Sequence, residues 1–198
     1  MNPQSNDVSM QKLLEEAGAI KKGHFLLSSG LRSDRYCQCA ALFENPVYGT
    51  KVAQLMAELV LQNNHKPDVV LAPALGAVLW GYELAKALGV RFIFAERPDG
   101  KTFELRRGFQ LEKGQHVILA EDVITTGGSV LEMVPIVAEA DAIVEAFCCV
   151  ADRSKGAFAP EQPFYSLLKL EFQTWTADND PLAMQGSRPV KPGSRGKS

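Results

Sequence analysis

Short apolar runs alternate with segments of helical periodicity between residues 68 and 152, and this alternation restricts the possible folds more than any other feature of the sequence. Each run has the length of a strand, and the segments that follow repeat their apolar residues at the spacing of one helix face. Such alternation is typical of a parallel β-sheet with helices on both faces, so we predict an α/β fold. The predicted strands are residues 68–72, 90–95, 117–120 and 143–150, and the predicted helices are residues 78–88 and 130–140.

The chain outside this region predicts smaller elements and one more long helix. Asn45 followed by Pro46 is a typical helix start, because Asn caps the first turn and proline fits the first helical position. The remaining predicted elements are a short amphipathic helix at residues 8–17 and strands at residues 24–27, 36–42 and 164–172.

Length and composition favour a single domain. The chain has 198 residues, of which 46% are hydrophobic, enough for one substantial core. We predict one domain over residues 1–175, with a small cap contributed mainly by residues 1–42. Residues 176–198 are rich in Gly, Pro, Ser and basic side chains, which predicts a largely irregular tail.

Charge and hydropathy exclude several classes of partner. The formal net charge of −2 creates no overall field that would attract nucleic acid or an anionic membrane. The uncharged stretch 69–82 contains Pro73 and Gly76 and is shorter than the ~18 apolar residues of a membrane span. The first ten residues lack the basic and apolar segments of a signal peptide. We expect a soluble cytoplasmic protein that binds neither nucleic acid nor membranes.

The cysteines and histidines do not have the spacing of a metal site. The cysteines form one C-x-C and one C-C pair in apolar, strand-like segments, which predicts buried reduced thiols, with a disulfide as the alternative. The histidines are scattered. These residues are Cys37, Cys39, Cys148, Cys149, His24, His65 and His116.

Residues 117–129 carry the strongest functional signal. An apolar strand leads into two adjacent acids, Glu121 and Asp122, and then into the hydroxyl- and glycine-rich turn 125–129. Glycines let backbone N–H groups approach a phosphate, and hydroxyls add further donors. The two carboxylates can accept hydrogen bonds from ribose hydroxyls, so the segment predicts a ribose-phosphate site. The alternative is an S-x-x-E capping box formed by Ser129 and Glu132, which leaves the acids unexplained.

This segment resembles the phosphoribosyl pyrophosphate (PRPP) motif of type I phosphoribosyltransferases, and most of the chain resembles orotate phosphoribosyltransferases. The other matching segments are residues 23–30, 33–36, 72–77, 152–156 and 191–195, with Ala77 where the family often has glycine. The resemblance implies a Rossmann-like parallel sheet flanked by helices, with an amino-terminal hood. It also implies a pentosyltransferase that transfers the ribose 5-phosphate of PRPP to orotate in de novo pyrimidine biosynthesis.

The resemblance further implies roles for individual residues. Glu121, Asp122 and Lys101 are the predicted catalytic residues, and Mg²⁺ is the predicted cofactor, held mainly by PRPP without a direct protein ligand. Orotate is predicted to contact Thr125 and Arg153, although an isolated arginine would more simply pair with Asp152. Tyr36 is expected near the base. The predicted PRPP-binding residues are Arg97, Lys101, Glu121, Asp122, Val123, Ile124, Thr125, Thr126, Gly127, Gly128 and Ser129.

The hydrophilic segment 96–108 has two interpretations. Taken alone it is a solvated hairpin, whereas the resemblance makes it the catalytic loop, which closes over the site of the neighbouring subunit and implies a homodimer. The family's frequent Lys-x-x-Lys-x-His pattern is absent, and Phe103 stands at the histidine position. Arg106 or Arg107 is the candidate replacement.

Two other functions stay open at this point. A purine or uracil phosphoribosyltransferase would share the PRPP motif and differ in the hood and at Arg153. A non-catalytic PRPP-sensing regulator would need a nucleic-acid-binding surface, against which the net charge and the lack of a helix-turn-helix segment count.

Overall fold

A six-stranded sheet with helices on both faces forms the centre of the computed structural model, which describes residues 3–27 and 29–192. Ser28 of the matching segment 23–30 and residues 193–195 of the segment 191–195 lie outside the described residues, as do residues 196–198. The α-helices are α1 (Pro3–Glu16), α2 (Pro46–Gln62), α3 (Val78–Leu88), α4 (Gly128–Leu131), α5 (Val134–Glu139) and α6 (Pro181–Met184), and short 3-10 helices cover Cys39–Phe43 and Ala177–Asn179. The strands are β1 (Ile20–Leu26), β2 (Arg32–Cys37), β3 (Val69–Pro73), β4 (Arg91–Glu96), β5 (Glu104–Leu105), β6 (His116–Ile124), β7 (Ile143–Asp152), β8 (Phe164–Lys169) and β9 (Thr174–Trp175).

The sheet has the strand order β5-β4-β3-β6-β7-β8, and all neighbours are parallel except the edge strand β5, which is antiparallel to β4. The predicted parallel α/β sheet is therefore confirmed. Its two faces are covered by separate groups of buried side chains, one beneath α1, α2 and α3 and one beneath α4 and α5. Trp80 and Met56 lie in the first group, and Phe147 and Met133 in the second.

Several predicted boundaries differ from the structure. The predicted strand 36–42 is wrong, because β2 ends at Cys37 and Cys39–Phe43 form a 3-10 helix. Strand β6 runs on to Ile124, because it stays paired with β7 as far as the partner Asp152, so both acids lie within the strand rather than after it. The predicted helix 130–140 is split into α4 and α5. Pro135 lies in the first turn of α5, where its missing N–H costs least, and it could not continue a helix begun at Gly128. The predicted start of α2 is correct, since the Asn45 side chain accepts a hydrogen bond from the Val47 N–H at 3.0 Å.

The hood is a separate antiparallel sheet of order β1-β2-β9. It is not built from the first 42 residues alone, because β9 near the end of the chain pairs with β2. Residues 176–192 are anchored to the hood: the buried Asp180 lies 2.7 Å from His24 Nε2, and Ser187 Oγ lies 3.0 Å from His24 Nδ1. Leu26 and Val190 are joined by a backbone hydrogen bond of 2.9 Å. The division into a domain and a tail stays a prediction.

The other two histidines contact one carboxylate. His65 Nδ1 lies 2.7 Å from Glu145, and His116 bonds the second oxygen of the same side chain. Since His116 begins β6 and Glu145 is the third residue of β7, the group lies at the amino edge of the sheet. None of the described helices combines the length and the apolar character that crossing a membrane would require.

Candidate active site

The candidate site lies at the carboxyl edge of the sheet, where β3, β6 and β7 end side by side. After β3 the chain turns through residues 74–77, and the Ala74–Leu75 peptide bond is cis. A Cβ placed on Gly76 would lie 4.0 Å from both carboxylate oxygens of Asp122. The turn after β3 therefore contacts the acid pair of β6, as expected for parallel strands, whose ligands collect at this edge.

The acid pair, Glu121 and Asp122, is half-buried, and burial disfavours the ionised form of both carboxyl groups. Burial raises the pKa of Glu121 to about 8, and the neighbouring charge of Asp122 adds to the effect. Burial also raises the pKa of Asp122, although the Val123 N–H, 2.8 Å from its Oδ1, opposes this shift. At neutral pH the pair therefore retains a proton, and a ligand that supplies hydroxyl donors or positive charge would favour the fully ionised form.

Successive side chains of a strand alternate in direction, but the carboxyl groups of Glu121 and Asp122 are close enough to share a hydrogen bond. Burial raises the pKa of Tyr36, and the charge of Asp122 adds a smaller rise, which places Asp122 beside the hood. Glu121 pairs with Cys149 of β7, a thiol whose pKa is raised mainly by burial. Asp122 is thus the acid that lies between the hood and the turn after β3.

The turn between β6 and α4 has the features of a phosphate cradle. Thr125, Thr126, Gly128 and Ser129 are exposed, whereas Gly127 is buried and has a φ of 77°. The Gly128 N–H donates to Thr126 Oγ1 at 3.3 Å. Within residues 3–27 and 29–192, no acceptor is found for the backbone N–H groups of Gly127 and Ser129. These donors and the hydroxyls are available to a phosphate.

The capping-box alternative for this turn is wrong. Gly127 occupies the N-cap position of α4 and makes no side-chain cap, and Ser129 is already the second residue of the helix. The Glu132 carboxylate does not bond the backbone N–H at the start of α4, because it bonds Arg97 at 2.6 Å instead. Of the other predicted PRPP contacts, Val123 is half-buried and Ile124 is fully buried, so only the backbone of Ile124 could contact a ligand.

Arg153 lies directly after β7, beneath the hood. Its guanidinium carbon is 5.7 Å from the centroid of the Phe172 ring. Burial raises the pKa of Tyr36, and the positive charge of Arg153 partly offsets the rise, so the two side chains are neighbours. The alternative of an Arg153–Asp152 ion pair is wrong, because Asp152 accepts a hydrogen bond from the Ser154 N–H at 2.8 Å and no carboxylate of the described chain pairs with Arg153.

All four cysteines are buried free thiols. Cys37 ends β2 and Cys39 begins the following 3-10 helix, with a Sγ to Sγ distance of 3.6 Å, whereas Cys148 and Cys149 lie within β7. The predicted reduced state is confirmed, and the disulfide alternative is not adopted.

Residues 97–103 connect β4 and β5, so the segment 96–108 is the predicted hairpin. Lys101 is exposed at its tip, and the Lys101 backbone N–H donates to Asp99 Oδ1 at 2.8 Å. Arg107 makes a bidentate contact with Glu96 at 2.8 and 2.9 Å, whereas Arg106 makes a single exposed contact of 3.6 Å with Glu104. Arg106 is consequently the better candidate for the role of the absent histidine.

Comparison with known proteins identifies the family. Residues 38–185 match the family model described as a phosphoribosyl transferase domain. An orotate phosphoribosyltransferase of Caldanaerobacter subterraneus is 42% identical over 184 residues, covering 93% of this chain and 95% of that protein. One of Thermotoga maritima is 43% identical over 187 residues, covering 94% of this chain and 98% of that protein. The chain belongs to the orotate phosphoribosyltransferase family.

Solved structures agree with this membership in the orotate phosphoribosyltransferase family. The enzyme of that name from Aeropyrum pernix has a TM-score of 0.70 at 25% identity, covering 81% of this chain and 93% of that one. The Mycobacterium tuberculosis enzyme in complex with inorganic phosphate has a TM-score of 0.67 at 25% identity, covering 84% of this chain and 96% of that one. The Rossmann-like fold with a hood is therefore confirmed.

For this orotate phosphoribosyltransferase family member, the structure brings Glu121, Asp122, the 125–129 turn and Arg153 to one edge. Three contributors were not predicted from the sequence. Phe158 packs against Gly127, Phe172 lies beneath Arg153, and Glu132 binds Arg97. Phe158 lies on irregular chain and Phe172 lies after the end of β8, so only the folded structure reveals their contacts.

Replacing Gly127 with alanine is expected to lower the free energy of unfolding by about 2–4 kcal/mol and to abolish PRPP binding. A Cβ at this position would overlap the Phe158 ring, and the φ of 77° disfavours any L side chain. Gly128→Ala is the matched control for stability, because its Cβ would meet only Thr126 Oγ1 at 3.5 Å. Urea unfolding of both variants measures the effect, and equal stability would contradict the steric argument.

Glu121→Gln is expected to stabilise the protein by on the order of 2 kcal/mol at alkaline pH and much less at about pH 5. The folded protein binds the Glu121 proton more tightly than the unfolded chain does, because its pKa is raised to about 8. Wild-type stability should therefore fall as pH rises from the unfolded pKa of about 4.3 to the folded pKa, and the glutamine variant should lack this loss. Urea unfolding at both pH values measures this difference in stability, with Glu139→Gln at an exposed position as the control. If the stability of Glu121→Gln depended on pH as that of the wild type does, the raised pKa of Glu121 would be refuted.

Proposed function

We propose that this chain transfers the ribose 5-phosphate of PRPP to orotate, giving orotidine 5′-phosphate and pyrophosphate in de novo pyrimidine biosynthesis. The observation that carries the proposal is the meeting, at one sheet edge, of the acid pair, the 125–129 turn and Arg153 beneath the hood. Family membership over nearly the whole chain supports the same reaction.

The 125–129 turn would bind the 5-phosphate, and the acid pair would bind the ribose. Backbone N–H groups of Gly127 and Ser129 and the threonine hydroxyls supply donors to the phosphate oxygens. Asp122 and Glu121 accept hydrogen bonds from the ribose hydroxyls. Their negative charge also stabilises the positive charge that develops at C1 as the bond to pyrophosphate breaks.

Arg153 would select orotate among the pyrimidines. Orotate differs from uracil by a carboxylate, and a planar guanidinium binds a carboxylate with two parallel hydrogen bonds. The stacking contact with Phe172 keeps the guanidinium in place. With orotate held here, its ring nitrogen attacks C1 from the face opposite the leaving pyrophosphate, which converts the α configuration into β.

Arg97 would bind the pyrophosphate group of PRPP, and Lys101 would neutralise the leaving pyrophosphate when the hairpin closes over the site. We propose Mg²⁺ as cofactor. The carboxylate oxygens of the acid pair are donors that suit a hard cation, although we expect PRPP itself to hold the ion. Bound Mg²⁺ would neutralise charge on the departing pyrophosphate. The structure describes the side chains of residues 10–27 and 29–192. Among these, no three metal-ligating side chains lie close enough together to hold a metal ion.

A homodimer is part of the proposal, because Lys101 is exposed at the hairpin tip and could reach a neighbouring site. An apolar surface beside the turn after β3 is a candidate contact for the second copy: Leu75, Leu79 and Tyr82 are 84%, 55% and 54% exposed. Adjacent large apolar side chains of this kind often mark interfaces. A cytoplasmic location stays a prediction.

The proposed function is tested by mixing the protein with PRPP, Mg²⁺ and orotate and following orotate absorbance. We expect loss of orotate that requires PRPP, and no PRPP-dependent turnover of uracil, hypoxanthine or xanthine. Turnover of a purine or of uracil instead of orotate would assign the chain to another base. PRPP binding without any turnover would favour the non-catalytic sensor.

A further inference from the structure

Arg97 at the base of the hairpin is held by a residue of the helix that follows the phosphate-binding turn. Its Nη2 lies 2.6 Å from Glu132 Oε2, one of the shortest ion pairs among the described residues. Glu132 follows α4 directly, and its backbone N–H donates to the Gly128 carbonyl at 3.0 Å. The carboxylate therefore lies one helical turn from Gly128, and it connects the hairpin to the phosphate-binding turn.

The rest of the Arg97 guanidinium is held by packing, but not all of its N–H groups have a hydrogen-bond acceptor. Its carbon lies 4.1 Å from the centroid of the buried Phe103 ring, a distance typical of a cation–π contact. Its Nε is buried and has no hydrogen-bond partner in the described structure. Guanidinium has five N–H donors, so the Glu132 contact leaves others for a second anion. A buried donor without an acceptor is costly, and a phosphate oxygen would remove that cost.

We propose that Glu132 is a positioning residue that holds Arg97 in the orientation in which it binds the pyrophosphate group of PRPP. Glu132 does not touch the substrate. It receives one edge of the guanidinium, Phe103 supports the flat face, and other donors are left for the anion. This inference rests on the proposed function and adds a determinant of PRPP affinity outside the PRPP motif.

The reason for an acidic residue here is preorganisation. A long arginine side chain on a hairpin has many rotamers, and fixing it before the substrate arrives lowers the entropy lost on binding. Since Arg97 would contact pyrophosphate in both the ground state and the transition state, loss of its orientation should raise KM for PRPP more than it lowers kcat.

The test compares Glu132→Ala, Glu132→Gln, Arg97→Ala and the double variant Arg97→Ala/Glu132→Ala in steady-state kinetics. We expect Glu132→Ala to raise KM for PRPP about tenfold, with kcat changed less than about threefold and KM for orotate unchanged. Glu132→Gln keeps an oxygen acceptor and should recover part of the affinity. In the Arg97→Ala background the Glu132 substitution should have no further effect on KM, because it acts only through Arg97. Glu139→Ala, an exposed acid of α5, is the matched control.

Three outcomes would overturn the inference. KM for PRPP could be unchanged or lower in Glu132→Ala, which would show that the Glu132 carboxylate fixes the Arg97 side chain without increasing the affinity for PRPP. The two substitutions could be additive, which would indicate an independent structural role of Glu132. Glu139→Ala could behave like Glu132→Ala, which would indicate a general charge effect. Wild-type activity in the same assay separates these results from a failure of the proposed function.

Discussion

Lys101→Ala is expected to lower kcat by about 100-fold or more, while KM for PRPP rises only a few-fold. Lys101 is exposed at the tip of the hairpin, so it is not needed to bind PRPP in the open state. Its ammonium group would approach the pyrophosphate only on closure, when negative charge develops on the leaving oxygen. An interaction made mainly in the transition state affects kcat more than KM.

The control is Lys113→Ala, which removes another exposed lysine, paired with Asp141 at 3.2 Å before the start of β6 at the other edge of the sheet. It should leave both constants unchanged. An unchanged kcat in Lys101→Ala would remove Lys101 from the mechanism. A large rise in KM with normal kcat would instead give it the ground-state role assigned to Arg97.

Arg153→Ala is expected to raise KM for orotate about 10- to 100-fold, with little change in KM for PRPP. Hydrogen bonds between a charged donor and a carboxylate are among the stronger ones, and the substitution would leave the orotate carboxylate without its cation. The measurement is steady-state kinetics with orotate as the varied substrate. Arg153→Lys should recover only part of the affinity, because an ammonium group cannot reproduce the two parallel hydrogen bonds.

Arg91→Ala is the matched control, since Arg91 begins β4 at the amino edge of the sheet and donates to the Gln110 carbonyl at 3.0 Å. It should bind orotate normally. If Arg153→Ala also bound orotate normally, the carboxylate would have to be recognised by other groups, and the assignment of the base pocket beneath the hood would be wrong.

The sequence predicted the sheet and the acid pair because their signals are local. The apolar runs predict their own strands, and the order of acids, hydroxyls and glycines in residues 117–129 predicts its own turn. Neither prediction requires a contact with a distant segment. The carboxyl ends of parallel strands meet at one edge, so the convergence of β3, β6 and β7 also follows from pattern alone.

Contacts between distant segments could not be predicted in this way. Ser129 and Glu132 fit a capping box, yet Glu132 binds Arg97, 35 positions earlier in the chain. The requirement for Gly127 depends as much on Phe158 as on its own backbone. The hood acquires β9 from the end of the chain because β2 has an edge to pair, and the two-residue length of β9 gives no periodic signal.

A crystal structure with PRPP and Mg²⁺ tests the central claim most directly. We predict that the 5-phosphate lies on the backbone N–H groups of residues 127–129 and that the ribose hydroxyls lie within hydrogen-bond distance of Asp122 or Glu121. A phosphate bound elsewhere, or a ribose that contacts neither acid, would contradict the account.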